Sequence, residues 1–281
     1  MRLTALALLV ALAPAASAQD APAINKKDVS YGPHQRNKLD ITVPKSDKPL
    51  PLILWVHGGG WEAGDKSHNP ANFMLKEGYA VATTNYRYST QAIYPAQLDD
   101  CKAALRFLRE HAKEYNIDPD RVGVWGASAG GHLVALLGTT GNDPEEKGKP
   151  STQVQCVLDW FGPTDLAKLS GGAADNPIGK LLGGTTKEKA ELAKSADPIT
   201  HIDKADAPFL IVHGDSDKLV PLSQSEILVD ALKKAGVPVE LVVFKGAGHA
   251  DAAFFKQVTT DEHRKKVVAF FDKYLKPKAT K

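Results

Sequence analysis

The chain has 281 residues, 43% of them hydrophobic and 24% charged, a globular composition that excludes a disordered or fibrous chain. Its 35 Lys and Arg nearly cancel 33 Asp and Glu, so neither a nucleic-acid partner nor an acidic membrane surface is indicated. The short basic end KPKATK is the one block of like charge and reads as a solvated tail.

The chain opens MRLTALALLVALAPAASAQD. Arg2 supplies a positive start, Leu3 to Leu12 is almost wholly apolar, and Ala16-Ser17-Ala18 fits the small-x-small cleavage rule. This pattern predicts a signal peptide (1–18) cut after Ala18, and export to a periplasm or the medium. The apolar run is shorter than the roughly 20 residues that cross a bilayer, so no membrane span is expected. Gln19, not a lipid-accepting cysteine, follows the cut.

After the leader, DVSYG and KLDITVP are expected as short strands, the second alternating as a half-exposed strand does. PLILWV is a continuous apolar run, as in a strand buried on both faces. AVATTNY is a strand and YPAQLDDCKAALRFLREHAKEY a long amphipathic helix; RVGVWG is a strand and AGGHLVALLG a helix stopping at Gly138. VQCVLDWFG and APFLIVHG follow as strands, SQSEILVDALKKAG as a helix, VELVVF as a strand and DEHRKKVVAFFDKYL as the closing helix. Strands alternating with helices imply an α/β fold with a mostly parallel sheet and helices on both faces. No linker divides 19–281, which reads as one catalytic domain. Residues 165–206 break the alternation with Gly-rich stretches and short helical pieces, and are expected to form a small helical cap insertion.

Cys101 and Cys156 stay open between a disulfide, which an oxidising compartment permits, and two buried thiols; spacing does not show that they meet.

The reactive residues gather at the carboxyl ends of the predicted strands, where ligands bind in open α/β sheets. GASAG puts Ser128 between a strand and a helix, with Gly126 and Gly130 allowing a strained turn. Chance supplies G-x-S-x-G often enough that the motif alone is weak. HGGGW at 57–61, after the buried strand, is more specific: its glycines let N–H groups of Gly59 and Gly60 point into a site. With the N–H of Ala129 they would form an oxyanion hole. His57 is expected to brace that loop.

Nine histidines compete for the role of base. His34, His68, His111, His201 and His263 fall in polar loops or on exposed helix faces. His132 packs or caps beside Ser128, and His213 reads as a buried structural position. His249, in the glycine-containing loop after VELVVF, remains, and triads of this fold run Ser, then Asp or Glu, then His. HGDSDKLVP offers Asp215 and Asp217 as the acid, and spacing alone does not choose between them.

HGGGW, GASAGG, HGDSDKLVP and GAGH, in that order, resemble α/β-hydrolase serine esterases, and NYRYS, PAQLDDCKAALRFLR and DWFGPTDL resemble the group that includes feruloyl and acetyl esterases of plant cell-wall carbohydrate. The resemblance spans nearly the whole chain after the leader. Its H-G-x-x-D-x-x-V-P pattern carries the acid at the fifth position, which implies Asp217 and leaves Asp215 as a turn residue. Ala127 departs from the Gly-Asp-Ser-Ala-Gly of the hormone-sensitive-lipase-like group. The resemblance also implies that Arg87 makes a buried ion pair. The function implied is a secreted carboxylesterase acting on small acyl esters, acetyl or feruloyl esters of carbohydrate, through Ser128, His249 and Asp217. A general short-chain or lipase-like esterase, a peptidase or amidase with the same triad, and a catalytically dead binding protein are the alternatives. No metal or organic cofactor is required. Trp61, Tyr88, Trp160 and Phe161 follow strand ends and either line a substrate pocket or pack.

Overall fold

The computed structural model describes residues 23–141, 150–169 and 173–276; the leader read at 1–18 and the basic end from 277 lie outside the described residues. PLILWV becomes β3 (Leu50–Val56), near the middle of an eight-stranded sheet. Because strand side chains alternate between faces, its apolar run feeds two cores. Leu52, Leu54 and Val56 join the cluster built with the helices of one face, and Ile53 and Trp55 join that of the other.

Around β3 lie β1 (Ile24–Ser30), β2 (Lys38–Val43), β4 (Ala80–Thr84), β5 (Ile117–Ala127), β6 (Cys156–Trp160), β7 (Phe209–Gly214) and β8 (Val239–Phe244), in the order β1-β2-β4-β3-β5-β6-β7-β8. β2 is antiparallel to both β1 and β4, and every other neighbouring pair is parallel. The crossovers are α1 (Ala96–Glu110), α2 (Ala129–Thr139), the short helices α3 (Leu166–Leu169), α4 (Pro177–Leu182) and α5 (Ala190–Ala196), and α6 (Ser223–Ala235); α7 (Ala252–Val258) and α8 (Asp261–Leu275) follow β8. In α1 the three- and four-residue spacing of Leu98, Cys101, Leu105 and Leu108 buries one stripe.

Several expectations are corrected. β2 is not half exposed: Asp40, on its expected polar side, is buried and paired with Lys66 at 2.8 Å and Lys27 at 3.0 Å. β1 starts at Ile24, ahead of DVSYG. His263 lies buried against the Phe244 ring instead of on an exposed helix face. A 3-10 helix (Pro70–Glu77) and α7 were not expected as elements. Cys101 and Cys156 are free, buried thiols belonging to the cores on opposite faces of the sheet, so the sheet itself separates them.

Candidate active site

Ser128 is the single residue between β5 and α2, with φ 55° and ψ −121°. A non-glycine residue held there costs on the order of 1–3 kcal/mol, so the surroundings must enforce it. They do so by backbone contact. A Cβ on Gly126 would lie 2.2 Å from the Gly130 carbonyl oxygen, and one on Gly130 would lie 2.1 Å from that of Val56. Only glycine permits the strand and the helix to close so tightly around the serine. The Ser128 N–H donates to the Trp160 carbonyl at 2.8 Å, which pins the turn to β6.

The loop after β8 brings His249 to this turn. Ser128 Oγ lies 2.9 Å from His249 Nε2, and His249 Nδ1 donates to Asp217 Oδ2 at 2.7 Å. The Phe161 ring supports the imidazole at 4.6 Å. Asp217 Oδ1 accepts from the N–H groups of Leu219 and Val220, each at 2.9 Å. Burial would raise this carboxyl, but hydrogen bonds from His213, His249 and Val220 outweigh it and hold the group well below the usual carboxylate range. Asp217 is therefore an anion next to His249. Asp215 is exposed and turned away, accepting from the Gly246 N–H at 2.7 Å and the Ser216 hydroxyl at 3.0 Å.

His213 contributes more than its reading as a structural position suggested. Its Nε2 faces the Val220 carbonyl at 2.8 Å and Asp217 Oδ2 at 3.4 Å, and its Nδ1 faces the Ser225 hydroxyl at 2.6 Å. Two acceptors at Nε2 place the proton there, so His213 presents an N–H toward Asp217 Oδ2, the same oxygen that His249 bonds. It stands in the same HGDSD stretch as Asp217, which was the available signal.

In HGGGW, Gly59 has φ 113° and Gly60 φ 58°, both in the left-handed region. The Gly59 carbonyl accepts from the N–H groups of Glu62 and Ala63 at 3.1 and 2.9 Å, closing the loop. Gly58 presses on the serine turn, since a Cβ there would lie 3.2 Å from Ser128 Cβ. Ala129 opens α2, where the first N–H groups have no preceding turn to bond and the helix dipole favours negative charge.

His57 does brace the loop. Its Nδ1 donates to the Gly58 carbonyl at 2.7 Å, its ring stacks on Tyr86 at 4.4 Å, and burial lowers its pKa to about 4. Arg36 closes the back, donating to the carbonyls of Tyr86 and Gly64 at 2.8 and 3.3 Å and lying 3.6 Å over the Tyr88 ring. Tyr88 donates its hydroxyl to Gly64, so it supports the loop from behind and borders neither cavity at Ser128. His132 accepts from Trp61 Nε1 at 3.2 Å and faces the Ala196 carbonyl at 2.7 Å, and burial lowers its pKa to about 4. Arg87 pairs with the buried Asp100 at 2.8 Å while staying partly exposed itself.

Two cavities open at Ser128. A cleft of about 740 Å³ is bordered by Gly58, Gly59, Gly60, His249, Trp160 and Phe161 among others; a pocket of about 220 Å³ reaches Gly60, Trp61 and Ala129. His68, Leu219 and Phe255 in the cleft, and Pro177 and Ile178 in the pocket, were not anticipated. Phe255 sits on α7, whose start was signalled by Asp251, the side chain that caps it through the Phe254 N–H at 2.8 Å. Among the described residues, no cluster of three His, Cys, Asp or Glu is placed to hold a metal ion, and no helix is long and apolar enough to cross a membrane.

The strand order, the crossover helices and the serine on a strained strand-to-helix turn make this an α/β-hydrolase fold. The BD-FAE family model matches residues 39–232, and the chain belongs to that family. Among solved structures, a truncated carbohydrate esterase from gut microbiota is 32% identical, with a TM-score of 0.83 over 92% of this chain and 99% of that one. An acetyl ester-xyloside bifunctional hydrolase from Caldicellulosiruptor lactoaceticus is 26% identical, with a TM-score of 0.76 over 92% of this chain and 98% of that one. LipM of Mycobacterium tuberculosis, named a probable carboxylic ester hydrolase, is 32% identical over 74% of this chain and 51% of its own length. The chain spans just over half the length of the first curated relatives it matches.

Proposed function

We propose that this chain is a serine carboxylesterase that works through an acyl-enzyme on Ser128. The observation that carries the reading is the hydrogen-bond line Ser128–His249–Asp217, with links of 2.9 and 2.7 Å, opening on a cleft bordered by the glycine loop. Ser128 Oγ attacks the ester carbonyl while His249 Nε2 takes its proton. Asp217 orients the imidazole and stabilises the imidazolium. The N–H groups of Gly59, Gly60 and Ala129 receive the oxyanion. His249 then gives its proton to the departing alcohol oxygen. A water that loses a proton to the same imidazole cleaves the acyl-enzyme and releases the acid.

The substrates proposed are acetyl or feruloyl esters of carbohydrate. The carbohydrate-esterase and acetyl ester-xyloside activities named for two structures of this fold support that choice. The leader pattern supports export, and residues 19–281 are proposed as one catalytic domain with the 165–206 segment as a partial cap.

Ser128→Ala should fold as the wild type does and lose at least about 10³-fold in kcat on 4-nitrophenyl acetate. A fluorophosphonate probe should label the wild type and spare the variant. Near wild-type turnover by the variant would sink the assignment, and an unlabelled wild type would favour a binding role.

A further inference from the structure

Resting on the esterase reading above, we propose that His132 is a positioning residue for the oxyanion loop: its Nδ1 anchors Trp61 and, through Trp61, fixes the backbone of Gly59 and Gly60. Residues 59, 60 and 61 follow one another with φ of 113°, 58° and 59°. Glycine takes up such values freely, but a tryptophan there is strained and must be held by its surroundings. Trp61 is also the one member of this run with a side chain, so its ring is the handle by which the run can be gripped. Its carbonyl accepts from the Ser89 N–H at 2.8 Å, its side chain is buried, and its indole Nε1–H donates to His132 Nδ1 at 3.2 Å. The two rings meet edge to face with centroids 5.2 Å apart. The upstream end of the loop is held by His57 on Tyr86, and Trp61 is the downstream anchor. Because each peptide unit is planar and glycine offers no steric resistance, a rotation at Trp61 passes directly into the Gly60 backbone.

His132 is well placed to be that anchor. It lies in α2 one turn after the serine, and its backbone N–H donates to the Ser128 carbonyl at 2.9 Å. Its side chain is fully buried. An indole nitrogen only donates, so Nδ1 must be a bare acceptor and Nε2 must carry the proton, which it donates to the Ala196 carbonyl at 2.7 Å. Burial lowers the pKa to about 4, so near neutral pH no second proton on Nδ1 competes with the indole. One ring thus joins the helix that follows the serine, the glycine loop and the end of α5. The two bonds are not of equal consequence. The end of α5 has other ties, since the Ser195 carbonyl accepts from the Tyr94 hydroxyl and from His201 Nε2, each at 2.8 Å. The single N–H of Trp61 goes to His132.

Two near-isosteric variants separate these bonds. Asparagine puts an oxygen where Nδ1 stands, so His132→Asn keeps the acceptor for Trp61 and gives up the Ala196 carbonyl. Glutamine puts an amide where Nε2 stands, so His132→Gln does the reverse. Each leaves one buried polar group unpaired, and comparable falls in Tm are expected for both. Turnover of 4-nitrophenyl acetate should tell them apart. Acylation and deacylation both pass through an oxyanion, so kcat falls whichever step limits. Removing one oxyanion donor outright costs about 10²–10³-fold, and His132→Gln, which only loosens the loop, should lose at least about tenfold in kcat with KM within about threefold. His132→Asn should stay within about threefold of the wild-type kcat. Trp61→Phe should lose as much as His132→Gln, and combining the two should cost less than about twofold more than Trp61→Phe alone. Equal kcat for the Asn and Gln variants overturns the positioning role, as does a rise in KM with kcat kept, or a double variant whose loss is the product of the single losses. If His132→Gln does not fold, Trp61→Phe decides: a kcat loss at steady KM supports the role, and an unchanged kcat overturns it. Any of these failures in a wild type that turns over and is labelled by fluorophosphonate leaves the esterase reading standing. A wild type that hydrolyses no ester and takes no label overturns that reading and this role with it.

Discussion

The turn at Ser128 and the segment between β6 and β7 both border the serine, yet they are held by opposite means. Around the serine, backbone meets backbone. Gly126 and Gly130 each leave no room for a Cβ, which would lie 2.2 and 2.1 Å from a backbone carbonyl oxygen. Asp159 packs beneath this turn and accepts from the Gly162 N–H at 2.9 Å. In the β6–β7 segment, side chains tie short helices together. Asp197 accepts from the Leu166 N–H at 2.9 Å, Gln224 accepts from those of Thr164 and Asp165 at 2.8 Å, and Tyr94 donates to the Ser195 carbonyl at 2.8 Å. Such bonds contribute about 1 kcal/mol each and can be exchanged singly. A sub-contact backbone approach cannot. The serine proposed to react sits on the intolerant part, and the pocket wall built by Pro177 and Ile178 on the adaptable part.

The sharpest way to break this contrast is Gly130→Ala. The new methyl group must displace the Val56 and His57 carbonyls, 2.1 and 2.5 Å away, so a loss above about 4 kcal/mol is expected, read as a collapse of soluble yield or urea midpoint. A normally stable variant would show that the turn relaxes as the β6–β7 segment does. Next in size is a pair on the acid. Asp217→Asn should lower kcat by about 10⁴-fold, and Asp215→Asn by tenfold at most. Equal losses would mean that the hydrogen bond from His249 does not distinguish them.

Asp159 tests the buried floor of the turn. Burial raises its pKa from 3.8 to about 7, despite the Gly162 N–H. A carboxyl raised in this way stabilises the fold fully below the unfolded value and loses that contribution as pH climbs through the folded one. Asparagine keeps an acceptor for Gly162 and does not titrate. The Tm of Asp159→Asn, relative to wild type, should therefore rise between pH 4 and pH 8, by about 2–4 °C for each kcal/mol recovered. A difference that is constant with pH would show that the carboxyl stays charged throughout. The smallest effect is expected in the β6–β7 segment. Lys180→Met removes a pair whose side chains are 43% and 29% exposed, and should cost no more than about 1 kcal/mol. A larger drop in Tm would mean that one surface tie carries α4.

Most of the sheet was legible because a buried strand writes its apolar run locally, as PLILWV and APFLIVHG do. The elements that escaped notice lack such a run. The 3-10 helix at Pro70–Glu77 buries only Ala71 and Met74, and α7 only Phe254 and Val258. The buried state of Asp40 was hidden because its partner Lys66 lies far along the chain, and that of His263 because the Phe244 ring covering it belongs to another element. Tyr88 looked like a lining residue because it follows a strand end. Arg36, from the other side of the β2–β4 pairing, draws it behind the loop instead.

By itself, the sequence determined the alternation of strands and helices and the residue types that stand at each strand's carboxyl end, Ser128, Gly59, Gly60, Asp217 and His249 among them. Both are properties of short stretches, set by side-chain periodicity and by the backbone freedom of glycine. Only the tertiary structure decided which of these residues touch, that the two cysteines face away across the sheet, and that one serine opens on two cavities of unequal size. Contacts and cavities belong to the spaces between elements far apart in the chain, and those spaces exist only once strand order and packing have brought the elements together.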